Sequence, residues 1–124
     1  IPVVDAYTRR DVENWEEAMA RTLAGAGATR NDTVQNCYGY GLFTGGIGVH
    51  YGAKRLGANI IPMSSGNTRK QLMVMQNFGS TILASTPSYA LFMAEEAAEA
   101  GDGPDGWEHW DDDSVGGGES GYRS

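Results

Sequence analysis

The stretch "TVQNCYGYGLFTGGIGVHYGAKRL", residues 33–56, holds five glycines and three aromatic residues between Tyr38 and Gly48. Its first six residues, 33–38, are rich in strand formers, and the spacing of apolar residues over 46–56 predicts a helix. A strand that runs through a glycine-rich loop into a helix is the first half of a parallel βαβ unit.

Reading outward, the same unit recurs. "ANIIP" (58–62) predicts a second strand, "MSSGNT" (63–68) a polar loop, and the segment from Thr68 a helix, with Gln71 placed for a capping box. "TILAS" (81–85) predicts a third strand. Thr86 then reads as a cap, Pro87 as the first residue of a last helix and Gly101 as its stop. Upstream, Thr8 caps an amphipathic helix whose apolar positions Val12, Trp15, Met19, Leu23 and Ala26 recur at three and four, and Gly25 and Gly27 end it. The expectation is an α/β fold of three layers, built from parallel βαβ units and preceded by an amphipathic helix. Ligands of open parallel sheets settle beyond the carboxyl ends of the strands. That rule points to three loops: Tyr38–Gly46, Met63–Thr68 and Ser85–Tyr89.

Charge divides the 124 residues in two. Residues 1–100 carry nine acidic and eight basic side chains, whereas 101–124 carry seven acidic and one basic, so nearly all of the net charge of −7 lies in the tail. That tail holds seven of the 18 glycines and few aliphatic residues. Such a composition does not offset its own ordering entropy, and it reads as a disordered or loosely docked extension of a folded unit spanning 1–100. Neither part has the basic stripe that nucleic acid requires. No apolar run suits a membrane span, and Ile1 opens no signal peptide. The single cysteine, Cys37, suits a reducing cytoplasm, and with His50 and His109 it makes no metal-ligand spacing. Cys37 reads as a buried hydrophobe and His50 as a core or surface residue rather than a catalytic one, while the Asp111–Asp113 run reads as solvated.

The glycine loop is not a dinucleotide fingerprint, because Gly39 and Gly41 are followed at Gly45, one residue late. "SSGNTRK" (64–70) lacks the spacing of a phosphate-binding loop, and a capped helix start is the favoured reading. Tyr38, Tyr40 and Phe43 suit two roles equally: walls of a flat apolar pocket, or core rings beneath a glycine-lined helix.

A resemblance separates the two roles. "NCYGYGLFTGGIGVHYGAKRLGANIIPMSSGNT" (36–68) resembles the equivalent stretch of the phenylacetate–coenzyme A ligases, in the AMP-forming, adenylate-forming superfamily. "VVDAYT", "DVENWEEAMAR" and "TPSYAL" are similar to that family in the same order, so the likeness covers residues 1 to about 100. It implies a flavodoxin-like part of the large N-terminal domain. It also implies an aryl-acid pocket to which Tyr38, Phe43, Gly45 and Gly46 contribute, with no catalytic residue in this stretch. The implied reaction activates an aryl carboxylic acid with ATP and magnesium and transfers the acyl group to coenzyme A. The family's phosphate loop would precede Pro2, and its later nucleotide contacts and catalytic lysine would follow. The chain alone is therefore expected to be inactive and to bind no cofactor. The alternative, from the residues alone, is a flavodoxin-like binding or regulatory module without catalysis. A sheet edge without a partner further predicts a homodimer or larger assembly.

Overall fold

The computed structural model describes residues 1–41 and 44–100, and the backbone of 122–123. Among the described residues, four helices and four strands follow one another as α1 (Arg9–Gly25), β1 (Thr33–Asn36), α2 (Thr44–Leu56), β2 (Asn59–Pro62), α3 (Thr68–Phe78), β3 (Ile82–Ala84), α4 (Pro87–Ala100) and β4 (Tyr122–Arg123). The strands form one sheet in the order β2-β1-β3-β4. β1 pairs in parallel with β2 and with β3, and β4 runs antiparallel to β3 with Leu83 opposite Tyr122. The expected three parallel strands and their helices are therefore present, each strand shorter by one or two residues than expected. The two residues of β4 had no signal in the sequence, and the rest of the tail, with His109 and Asp111–Asp113, lies outside the described residues.

Side-chain alternation along the strands builds two cores. On one face Val34, Ile82 and Ala84 pack with Leu23 of α1 and with Val49 and Ala53 of α2. On the other, Leu83 packs with Met75 of α3 and with Ala90 and Met93 of α4, joined by Cys37 just beyond β1. A sheet between two helical layers follows, and the amphipathic α1 takes its place beside α2. α1 begins at Thr8, whose side chain accepts from the Asp11 amide at 3.1 Å while the Asp11 carboxylate accepts from the Thr8 amide at 2.9 Å. Thr8 is the expected cap, and this reciprocal pair satisfies two amide groups that a helix start leaves open. Ala26 closes the helix, with Gly27 at φ +95° beyond it.

The start of α3 corrects the sequence expectation. Asn67, not Thr68, is the cap, in left-handed conformation with its side chain accepting from the Lys70 amide at 3.3 Å. Thr68 is the first helical residue, and its hydroxyl pairs with that of Tyr89 on α4 at 3.1 Å. Gln71 makes no capping box: it turns inward and is fully buried.

The helices that follow the neighbouring strands β1 and β3 cover opposite faces of the sheet, since α2 leaves β1 toward one layer and α4 leaves β3 toward the other. Between the carboxyl ends of β1 and β3 the chain therefore parts in two directions. This is the switch point at which open α/β sheets hold their ligands.

Candidate functional site

Asn36, the last residue of β1, organises this end of the sheet. It is fully buried, and a buried amide left unpaired costs about 1–3 kcal/mol, so its partners matter. Both of its N–H groups are used: one donates to the Tyr40 hydroxyl at 2.8 Å, the other to the Gly46 carbonyl at 2.7 Å. Its side-chain oxygen accepts from the Tyr38 amide at 3.2 Å, and its main-chain carbonyl accepts from the Met63 and Ser64 amides, each at 3.1 Å. One residue thus fastens the first loop to the second.

Tyr38 is buried in the core on the α1/α2 side, and its hydroxyl donates to the Ser85 carbonyl at 2.8 Å. That bond crosses the switch point and ties the first loop to the third. Tyr40 is half-buried; its hydroxyl also pairs with His50 Nδ1 at 3.0 Å, and the two rings meet edge to face. Burial holds the Tyr40 phenol above its usual range, which keeps it a neutral donor and acceptor at neutral pH. His50, read from sequence as a core or surface residue, is a hydrogen-bond partner of this loop.

Gly46 is where the loop must have no side chain. A Cβ there would overlap the Gly39 carbonyl oxygen and stand 2.9 Å from its carbon. The loop thereby folds back onto the first turn of α2, and Gly45 beside it is half-buried. A Cβ placed on Gly39 would in turn lie 3.8 Å from the Ser65 hydroxyl of the second loop. Phe43, the remaining residue expected at the pocket, lies outside the described residues. The three loops singled out by the sequence are thus joined: the first to the second by Asn36, and the first to the third by Tyr38.

Beneath the second loop lies an all-polar cluster. Gln35 Nε2 donates to the Gln71 carbonyl and to Gln71 Oε1, both at 2.9 Å, and Gln35 Oε1 accepts from the Ser80 hydroxyl at 2.8 Å. Cys37 Sγ donates to Gln71 Oε1 at 3.1 Å. Burial pushes the Cys37 thiol up to about 12, so it is a protonated donor and no nucleophile at neutral pH. The sequence reading missed Asn36, Gln35 and Gln71 as structural hubs. The signal was available: two consecutive amides between Val34 and Cys37, inside a strand destined for burial on both faces, require internal partners.

Among the described residues, no group of three or more histidine, cysteine, aspartate or glutamate side chains could hold a metal ion, and no helix is long and apolar enough to cross a membrane.

No family model matches the chain. Individual relatives do. The phenylacetate–coenzyme A ligase of Escherichia coli strain K12 is 50% identical over 95 residues, which is 77% of this chain and 22% of that enzyme. The enzyme of the same name from Pseudomonas putida is 47% identical over 103 residues, covering 83% of this chain and 24% of its own length. That of Thermus thermophilus is 45% identical over 104 residues, 84% of this chain and 23% of the relative. Among solved structures, 2-hydroxyisobutyryl-CoA ligase in complex with 2-HIB-AMP and CoA superposes with a TM-score of 0.75 at 28% identity, over 80% of this chain and 21% of that one. An open conformation of the same ligase gives 0.71 at 29% identity, over 75% of this chain and 22% of that one. Over some four-fifths of its length the chain is therefore a relative of the phenylacetate–coenzyme A ligases, and it spans about a quarter of the length of each.

Proposed function

We propose that residues 1–100 form the acid-binding side of an aryl-acid coenzyme A ligase. In that reaction a carboxylate oxygen attacks the α-phosphorus of ATP and pyrophosphate leaves; the coenzyme A thiol then attacks the acyl carbon and AMP leaves. The observation that carries the reading is the 44–50% identity to four phenylacetate–coenzyme A ligases over most of this chain. The neighbouring ligase bound to 2-HIB-AMP and CoA supports the same chemistry.

The contribution of these residues is shape. Asn36 and Gly46 fold the first loop tightly, Tyr38 pins it across the switch point, and Phe43 and Gly45 follow in sequence, Gly45 in the first turn of α2, where an aryl ring is received beside bare backbone. Residues described here do not fit the nucleotide phosphates or magnesium. The Met63 and Ser64 amides are spent on the Asn36 carbonyl, the Gln71 amide faces inward, and no carboxylate cluster is present among the described residues. No step through ATP or the metal is assigned to this chain.

A second copy of the chain is the other partner proposed. β2 is an edge strand, and the Asn59 and Met63 amides point toward β1, so the backbone of Ile60 and Pro62 faces the open edge. Proline has no N–H, which blunts edge pairing. Exposed Phe78 and Leu91, 68% and 63% accessible, favour association through α3 and α4 instead. Sedimentation is expected to show a dimer or larger species at tens of micromolar, and a compact monomer would remove this part.

The ligase reading is tested by exchange of segments. The matching 95 residues of the Escherichia coli enzyme are replaced by those of this chain, and pyrophosphate release is followed with ATP, coenzyme A and a panel of acids. Release that depends on phenylacetate is expected; a chimera that folds but ignores aryl acids refutes the reading.

A further inference from the structure

We propose that Gln71 is a positioning residue, a buried latch that holds the 63–67 loop in shape at the mouth of the acid-binding site. The loop is the most contorted backbone among the described residues. Ser64 and Asn67 are the two non-glycine residues with positive φ there, at 63° and 50°, and Gly66 between them is at 89°. Such conformations persist only where neighbours over-determine them.

The neighbour that does so is a side chain four residues into α3. Gln71 Nε2 donates to the Ser64 carbonyl at 2.7 Å and reaches the Gly66 carbonyl at 3.4 Å. The direction of this amide is fixed by chemistry, not by assignment. Gln35 must present nitrogen toward the Gln71 main-chain carbonyl, which only accepts. That same nitrogen then demands an oxygen from the Gln71 side chain, and Cys37 donates to it as well. With its oxygen committed to the sheet, Gln71 has only its nitrogen to offer the loop. Polarity thus runs in one direction from β1 through α3 to the strained carbonyls. The loop in turn places Ser65 beside Gly39 of the glycine-rich loop.

A substitution of nearly equal shape separates latch from filler. In Gln71→Glu the ionised side chain has no donor and sets a carboxylate against two carbonyls; once protonated, its O–H can donate to Ser64 while its other oxygen still accepts from Gln35. Cys37 is the titratable group in contact with position 71 and stays protonated throughout this range, and the neighbouring Arg69 and Lys70 are exposed. Hydrogen–deuterium exchange on the whole chain, corrected for intrinsic rates, reads the result. For Gln71→Glu at about pH 8, amides of 63–68 are expected to exchange roughly tenfold faster than in the parent chain while β1 keeps its protection. At about pH 5 the difference closes, whereas Gln71→Met stays fast at both. Unchanged loop protection in Gln71→Met, which has no donor at any pH, or equal loss throughout β1 in Gln71→Glu at both pH values, overturns the latch.

The link to acid binding rests on the ligase reading and is read separately, in the Escherichia coli chimera. There Gln71→Glu is expected to raise KM for phenylacetate about tenfold at the higher pH with kcat within about twofold, and to recover toward the lower. Loop opening without a change in KM overturns the positioning role. A chimera inactive even with Gln71 sinks the ligase reading instead, and exchange alone then decides the latch.

Discussion

The two faces of the sheet are held in different ways. On the α1/α2 face the fit is steric: a Cβ on Gly48 would stand 2.9 Å from the Trp15 ring, and one on Gly52 would stand 2.6 Å from Met19 Cβ and 2.9 Å from the Met19 carbonyl carbon. On the α3/α4 face the apolar core of Leu83, Met75 and Met93 is joined by a polar cluster, in which Gln35, Gln71, Cys37 and Ser80 satisfy one another around the strand. The first face should resist pH and fail under added volume. The second should tolerate small changes of volume and fail when a donor or a proton is removed. β1 carries both designs in alternate residues, Val34 toward one and Gln35 toward the other.

The largest effect is expected from Gly52→Ala, which breaks the steric face. The clash is with α1 backbone, which cannot swing away, so overpacking costs about 3 kcal/mol while alanine returns about 1 kcal/mol of helix propensity. A net loss of about 2 kcal/mol, independent of pH, should appear as a lower urea midpoint with unchanged slope. A neutral result would mean that α1 and α2 do not meet through this glycine.

Next comes Gln35→Leu on the polar face. It keeps volume roughly constant but leaves the Ser80 hydroxyl without its acceptor and takes one donor from each of the two buried Gln71 oxygens. A loss of about 1.5 kcal/mol is expected from such orphaned groups. Retained stability would show the polar face to be packed like the other.

Cys37 gives the polar face a pH dependence. Its thiol is raised by burial from 9.0 to about 12, so the folded chain holds its proton longer than the unfolded chain does. The corresponding stability is complete below about pH 9 and is lost as pH climbs toward the folded value, about 1 kcal/mol by pH 10. Tyr40 is raised by burial too and acts in the same direction. Comparing denaturant midpoints of the parent and Cys37→Ala across this range isolates the thiol. Parallel curves for the two would show that the thiol is not excluded from water.

What the sequence revealed and what it hid follow from distance along the chain. The Thr8 cap and the start of α4 at Pro87 rest on neighbours within four residues, the parallel strands on the regular alternation of strand and helix, and all were legible. Gln71 was misread because its partners are remote: Gln35 stands 36 residues away, and a local capping box offered an easier account. Tyr38 shows the same limit, since its hydroxyl is settled by Ser85, 47 residues on. Asn67 as a left-handed cap was hidden by a threonine, itself an accepted cap residue, at the next position. The glycines announced close approach, but only the structure shows against what: Trp15, Met19 and the Gly39 carbonyl.

The smallest effect sharpens the comparison, because it concerns a glycine to which neither design applies. Gly25 is the last residue of α1, its φ is not positive, and a Cβ there would meet nothing within 4 Å. Alanine should therefore act only through the unfolded chain and helix propensity. The gain is full in a helix interior, near 1 kcal/mol, and about half that in a terminal turn that frays. Gly25→Ala is expected to raise stability by about 0.5 kcal/mol, opposite in sign to Gly52→Ala on the neighbouring helix. Gly27, at φ +95°, still makes the turn that ends the helix, so the chain leaves α1 along the same path. A loss at Gly25 as large as that at Gly52 would show that glycine itself, not its contact, sets the penalty, and would dissolve the steric account of that face.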